Sequence, residues 1–129
     1  GYKYQLVETY AVKIPITPSE SIRSVYLLLD ADGSLIIREG YAWDGPSGLA
    51  IDSKDFMRGS LIHDALYQLM RENRLDEDTY RKQADELLVE ICREDGMNWF
   101  RRKYVYAAVR MFAKSAGDPA NDNPILEAP

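Results

Sequence analysis

His63 is the single histidine of the 129-residue chain, and it lies directly before Asp64 and four residues before Tyr67. Imidazole titrates near neutral pH, so it is the side chain best suited to take a proton from water. In a helix, residues four apart share one face, whereas consecutive residues point about 100° apart. We therefore expect Tyr67 to lie beside His63 and Asp64 to serve a different pocket.

A second carboxylate, Asp85, stands at the border of a predicted apolar stripe, next to Ala84 and one turn before Leu88. A carboxylate buried there needs a hydrogen-bonding partner. An antiparallel neighbouring helix would bring Asp85 to the His63 ring. If Asp85 accepts a hydrogen bond from one imidazole nitrogen, the other nitrogen is a base able to activate water. The sequence thus predicts a His63–Asp85 dyad, steadied by Tyr67.

A glycine-rich segment, GYAWDGPSG at residues 40–48, precedes the dyad. Three glycines and a proline allow backbone carbonyls to turn inward, and calcium takes carbonyl and carboxylate oxygens. Calcium suits the chain better than zinc, because soft ligands are almost absent. We predict a calcium site closed by Asp64. The competing interpretation is that the glycines serve tight turns and Trp43 fills the core.

Helical periodicity positions these residues. Apolar residues at three- and four-residue steps predict a helix from about residue 55 to about residue 73. Asp76 is the predicted N-cap of a second helix that Gly96 ends, and a third helix follows Asn98. The short connection predicts that the first two helices are antiparallel. The residues of the third helix expected to face inward are Trp99, Phe100, Tyr104, Val105, Ala108, Val109 and Phe112.

Strand signals fill the part of the chain before the loop. Residues 25–29 and 34–38 are β-prone and flank the Asp-Ala-Asp-Gly turn of a hairpin, and residues 4–12 add a strand. The predicted fold class is α+β, with a small β region followed by three helices. We predict one domain over residues 1–114 and a tail, residues 115–129, that is flexible or bound to a partner.

Composition excludes several functions. The formal net charge is −5, which argues against a nucleic-acid partner. A single histidine excludes zinc proteases and multi-histidine phosphohydrolases, and a single cysteine excludes an internal disulfide. No apolar run reaches the roughly 20 residues that span a bilayer, so we expect a soluble protein of a reducing compartment.

Charge is distributed unevenly. Residues 97–114 contain five basic residues and no acid, so the rest of the chain has a net charge of −10. One interpretation is a solvated basic face that pairs with the acidic second helix. The other is a surface for anionic lipid headgroups, to which basic and aromatic side chains are suited.

HDALY at residues 63–67, the glycine-rich loop and ADELL at residues 84–88 resemble the active site of phospholipase A2. The likeness is strongest to the short, disulfide-free version in parvovirus capsid proteins. The resemblance implies that His63 is the general base, Asp85 the acid that orients it, Tyr67 a supporting hydroxyl and Asp64 the calcium carboxylate.

The same resemblance implies that backbone carbonyls near Trp43, Gly45 and Gly48 complete the calcium site. The implied reaction is attack of water on an ester carbonyl that calcium polarises. The loop reads W-D-G-P-S-G instead of Y-x-G-x-G, and Asp44 adds a carboxylate that is itself a candidate metal ligand.

A second resemblance covers roughly residues 4–113. The strings GYAWDGPSG, RGSLIHDALYQLMR and YAAVR resemble an uncharacterised family of small phage and prophage proteins. This resemblance implies synthesis in the bacterial cytoplasm and a role at the host envelope or in the virion. The alternatives to a lipid esterase are a non-catalytic accessory domain that binds other phage proteins, partly through its tail, and a cell-wall hydrolase.

Overall fold

The computed structural model describes residues 4–43 and 54–117, with side chains up to residue 111. Short strands come first and three helices follow, which confirms the predicted α+β class. The strands are β1 (Tyr4–Gln5), β2 (Tyr10–Lys13), β3 (Ile22–Arg23), β4 (Leu27–Leu29), β5 (Ser34–Ile37) and β6 (Ala42–Trp43). The helices are α1 (Lys54–Arg71), α2 (Glu77–Glu94) and α3 (Trp99–Gly117).

The predicted hairpin is confirmed as β4 and β5. The Gly33 nitrogen donates to the Asp30 carbonyl at 3.0 Å, and Gly33 has a φ of 92°. A residue with a Cβ is strained at this φ, which explains the glycine. The hairpin forms the centre of a four-stranded antiparallel sheet of order β2-β5-β4-β3.

Residues 4–12, expected to add one strand, instead contribute to two sheets. β2 pairs with β5, whereas β1 pairs antiparallel with β6, so that Tyr4 lies opposite Trp43. This second sheet has two strands. It ties the start of the described chain to Ala42 and Trp43, which lie within the glycine-rich segment.

The main core lies between the four-stranded sheet and α1. The buried strand residues alternate along β4 and β5, as expected of a sheet with one covered face. The same apolar cluster contains residues of the sheet and of α1: Leu27, Leu29, Leu35, Ile37, Leu61, Ile62, Ala65, Leu66, Leu69 and Met70. α1 is therefore fixed against the sheet by its most apolar side.

α1 and α2 pack as an antiparallel pair, as predicted. Arg58, early in α1, contacts Glu94 at the end of α2, and His63 contacts Asp85 further back along α2. The helices approach closely at Gly59, where an added Cβ would lie 2.9 Å from Leu88 Cδ1. The predicted N-cap is confirmed, since the Asp76 side chain accepts a hydrogen bond from the Thr79 nitrogen.

α3 packs through Val105 and Val109 against a second apolar cluster, which also contains Phe56, Leu88, Cys92 and Met97. The prediction that Trp99, Phe100 and Tyr104 face inward was wrong: their exposed fractions are 54%, 78% and 61%. The reason is that apolar residues occur around most of this helix, so periodicity alone did not select the packed side.

α3 continues to Gly117, three residues beyond the predicted domain boundary at residue 114. Residues 118–129, most of the predicted tail, lie outside the described part. Among the described helices, none has the length and apolar character needed to cross a membrane.

Candidate active site

Asp85 is the centre of a polar cluster between the three helices. Its side chain has no exposed surface. Oδ1 lies 2.7 Å from His63 Nε2 and accepts a hydrogen bond from the Tyr67 hydroxyl, also at 2.7 Å. Oδ2 accepts a hydrogen bond from Arg110 Nη1 at 2.7 Å. The structure thus brings together the three residues predicted for catalysis.

The charge of Asp85 determines which imidazole nitrogen carries the proton. Burial raises the pKa of this carboxyl. The hydrogen bonds from His63, Tyr67 and Arg110 together lower it by a larger amount, so the pKa of Asp85 is below its ordinary value. Asp85 is therefore ionised at neutral pH and accepts from His63 Nε2–H. Nδ1 then keeps its lone pair, as a general base must.

His63 is placed to use that lone pair. Its side chain is 13% exposed, and Nδ1 has no hydrogen-bond partner within the part of the chain that the structure describes. The Tyr67 ring lies beside the imidazole, with centroids 4.3 Å apart. Packing and the bond to Asp85 therefore hold the ring in one orientation.

Tyr67 acts in this arrangement as a hydrogen-bond donor. Burial, followed by the hydrogen bond to Asp85 and its negative charge, raises the pKa of the Tyr67 phenol well above its ordinary value. The hydroxyl keeps its proton throughout the physiological range. It supports Asp85 and does not serve as a base.

Two arginines that the sequence motifs did not indicate complete the cluster. Arg110 on α3 binds Asp85 directly, and Arg81 Nη1 lies 3.9 Å from Asp85 Oδ2. Arg81 Nη1 is buried and has no hydrogen-bond partner among the described residues. Its position four residues before Asp85 was a usable signal. Arg110 gave no such signal, because its contact depends on how α3 is rotated.

Asp64 lies toward the β region and not toward Asp85. One of its oxygens, Oδ2, accepts a hydrogen bond from the hydroxyl of Tyr41, a buried residue just before β6. Asp64 and His63 therefore contact different elements, as their spacing predicted. The expected calcium ligands Asp44, Gly45 and Gly48 lie outside the described residues.

Trp43 is a core side chain. It is buried, its Nε1 donates to Ser60 Oγ at 3.3 Å, and its ring packs against Tyr4 and Tyr41. The calcium ligand predicted for Trp43 was its backbone carbonyl, so this side chain takes no part in the predicted site. Residues 4–43 and 54–117 contain no group of three or more histidine, cysteine or acidic residues suited to hold a metal. The predicted ligands supply oxygen atoms alone, which is the donor type that calcium prefers.

Cys92 is no candidate nucleophile. It is buried beneath α3, and burial raises the pKa of its thiol to about 12. A thiol with this pKa is almost entirely protonated at neutral pH and reacts poorly. His63, with its free ring nitrogen, is the better candidate for activating a nucleophile.

Comparisons with known proteins place the chain in a family. No curated protein and no solved structure matches it significantly. A family profile described as "Protein of unknown function (DUF1353)" matches residues 31–109, more than half of the chain. The matched region includes His63, Tyr67 and Asp85 and ends one residue before Arg110. The chain therefore belongs to the DUF1353 family.

Proposed function

We propose that this protein is a hydrolase of ester bonds, with His63 as the general base. The observation that carries the proposal is the fully buried carboxylate of Asp85, which holds His63 Nε2 at 2.7 Å. A buried charge is costly unless it is paired, and here its partners include the one side chain suited to proton transfer near neutral pH.

In the proposed reaction, a water molecule donates a hydrogen bond to His63 Nδ1. The water oxygen attacks the ester carbonyl carbon as its proton passes to Nδ1. The bond between carbon and the alcohol oxygen then breaks, and the imidazolium returns the proton to that oxygen. Asp85 stabilises the transient imidazolium, and Tyr67 keeps Asp85 in place.

Calcium is part of the proposal. Asp64, Asp44 and the carbonyls of Trp43, Gly45 and Gly48 would hold it. When bound, the ion would polarise the ester carbonyl as a Lewis acid. The support is the oxygen-only donor set and the hydrogen bond by which Tyr41 orients the Asp64 carboxylate.

The proposed substrate class is phospholipid, by resemblance to the phospholipase A2 site. The resemblance to small phage and prophage proteins suggests the host envelope as the place of action. A cell-wall bond is the alternative substrate. A non-catalytic role in protein binding would use the same fold with a purely structural His63–Asp85 pair.

The test is fatty-acid release from vesicles of phosphatidylglycerol and phosphatidylethanolamine, with calcium and with a calcium chelator. We expect calcium-dependent release that falls by at least about a hundredfold in His63→Asn and in Asp64→Asn. The matched control is Glu86→Gln, which removes an exposed carboxylate next to Asp85 and should leave release unchanged.

Circular dichroism of each variant separates loss of chemistry from loss of fold. A folded His63→Asn variant without activity supports the general base. Release that survives in folded His63→Asn would refute that role. No release by the unmodified protein under any of these conditions would refute the phospholipid assignment.

A further inference from the structure

One side of α3 exposes large apolar side chains to solvent. We call this surface the α3 aromatic face and define it as Trp99, Phe100, Lys103, Tyr104 and Met111, all of which are exposed. At about 100° per residue these positions fall within an arc of about 140°. The arc lies opposite Val105 and Val109, which attach α3 to the core.

Three side chains of this face pack against one another. Trp99 and Phe100 meet edge to face with centroids 5.1 Å apart. The Lys103 ammonium lies over the Trp99 ring, 5.0 Å from its centroid. Contiguous exposed apolar side chains mark interaction sites, and the combination of Trp, Tyr and Lys is typical of side chains at a membrane–water interface.

The charge around the face is positive. Residues 97–117 contain no acid. Arg101, beside the arc, pairs with Asp55, and Arg110, just inside the Trp99 edge of the arc, pairs with Asp85. Lys103 forms no ion pair within the described part of the chain. The excess acid lies in other parts of the chain. Salt weakens the repulsion between an acidic side chain and an anionic surface where the two are more than about 10 Å apart. A negatively charged bilayer therefore complements this face, although the whole protein is acidic.

We propose that the α3 aromatic face docks on anionic phospholipid bilayers, with its rings at the level of the headgroups. In this orientation α3 lies along the surface of the bilayer, as an interfacial amphipathic helix does. Arg110, at the edge of the face, connects the same helix to Asp85. The inference goes beyond the proposed function, because docking does not require the site to be catalytic.

The experiment is co-flotation of the full chain with vesicles. One set contains phosphatidylglycerol and phosphatidylcholine, and the other contains phosphatidylcholine alone. We expect binding to the anionic set that weakens at high salt. Lys103→Glu and Phe100→Ser should each lower the partition coefficient about tenfold. Val25→Ser, which changes an equally exposed apolar residue between β3 and β4, is the control and should bind normally.

Fluorescence gives a second readout at the face itself. Trp43 is buried, so a blue shift on adding anionic vesicles should come from Trp99 and disappear in Trp99→Phe. Absence of binding, equal binding to both vesicle sets, or unchanged binding of folded Phe100→Ser would overturn the proposal. Dimerisation of the protein in analytical sedimentation that Phe100→Ser abolishes would also overturn the proposal, because the face would then bind a second copy of the chain.

His63→Asn distinguishes this inference from the proposed function. The variant should bind vesicles like the unmodified protein, since His63 is not part of the α3 aromatic face. Vesicle binding without hydrolysis would leave the docking surface standing and remove the proposed activity. Hydrolysis of short soluble esters without vesicle binding would support the proposed activity and refute the docking surface.

Discussion

The contact between Asp85 and Arg110 is the one that most directly tests how the site is assembled, because it joins α2 to α3. We consider Asp85→Asn, Arg110→Gln and the double variant. Asparagine keeps the shape of the aspartate but offers one acceptor oxygen, whereas the native carboxylate accepts from three donors. In either orientation of the asparagine, its NH2 group lies where a carboxylate oxygen had accepted a hydrogen bond, and it faces a donor instead of an acceptor.

The expected energies follow from burial. Asp85→Asn leaves Arg110 and Arg81 near each other without a countercharge, and we expect a loss of about 3 kcal/mol. Arg110→Gln should cost about 1–2 kcal/mol, because Asp85 keeps its bonds to His63 and Tyr67. The Arg110 side chain is 27% exposed and can turn toward water. The double variant should therefore lose about 1.5–2 kcal/mol less than the sum of the single losses.

The assay is urea unfolding followed by circular dichroism, with m-values compared across the cycle. The control cycle is Arg58→Gln with Glu94→Gln, an ion pair whose side chains are 31% and 49% exposed. We expect a coupling of about 0.5 kcal/mol there. A coupling below about 0.5 kcal/mol for Asp85 and Arg110 would refute the view that Arg110 compensates the buried charge.

Three other predictions concern single residues. Tyr67→Phe should cost about 1–2 kcal/mol in urea unfolding, because a buried carboxylate loses a donor, and should reduce hydrolysis less than His63→Asn does. Despite burial, hydrogen bonds from His63 and Tyr67 hold the pKa of folded Asp85 below its ordinary value. The stability that Asp85 contributes is therefore fully present above the pKa of the unfolded chain and is lost as pH falls through the lower folded-state pKa. Acid titration of the free energy of unfolding should show this loss, and Asp85→Asn should lack it. Gly33→Ala should destabilise more than Gly96→Ala: both have positive φ, but a Cβ at Gly33 would lie 2.2 Å from the Ile14 carbonyl oxygen, and one at Gly96 meets nothing within 4 Å. Thermal unfolding of the two variants shows which of them loses more stability.

Local signals predicted much of the fold. Asp76 at the start of α2, Gly96 after its end and the Asp-Gly turn of the hairpin each act within a few residues, so the sequence around them is sufficient. The meeting of His63 with Asp85 was also predictable. It required only two amphipathic helices, a short connection and a carboxylate at the border of an apolar stripe.

Contacts that depend on the rotation of a whole element were not predictable. α3 has apolar residues on opposite sides, and Val105 and Val109 were selected for the core while Trp99 and Phe100 stayed exposed. The same rotation determines that Arg110 reaches Asp85. The pairing of β1 with β6 joins residues nearly forty positions apart, and neither strand is long enough to show a clear alternation.

α1 is the element on which the two halves of the proposed site depend. His63 and Tyr67 point from it toward α2, whereas Asp64 points toward Tyr41 in the β region. The β region has no counterpart in the phospholipase resemblance, yet β6 lies within the glycine-rich segment, and its pairing with β1 fixes the position of Ala42 and Trp43. On one side of α1, the small sheet therefore holds Tyr41 where it orients Asp64. On the other side, α2 supplies Asp85, which orients His63, and α3 supplies Arg110, which binds Asp85.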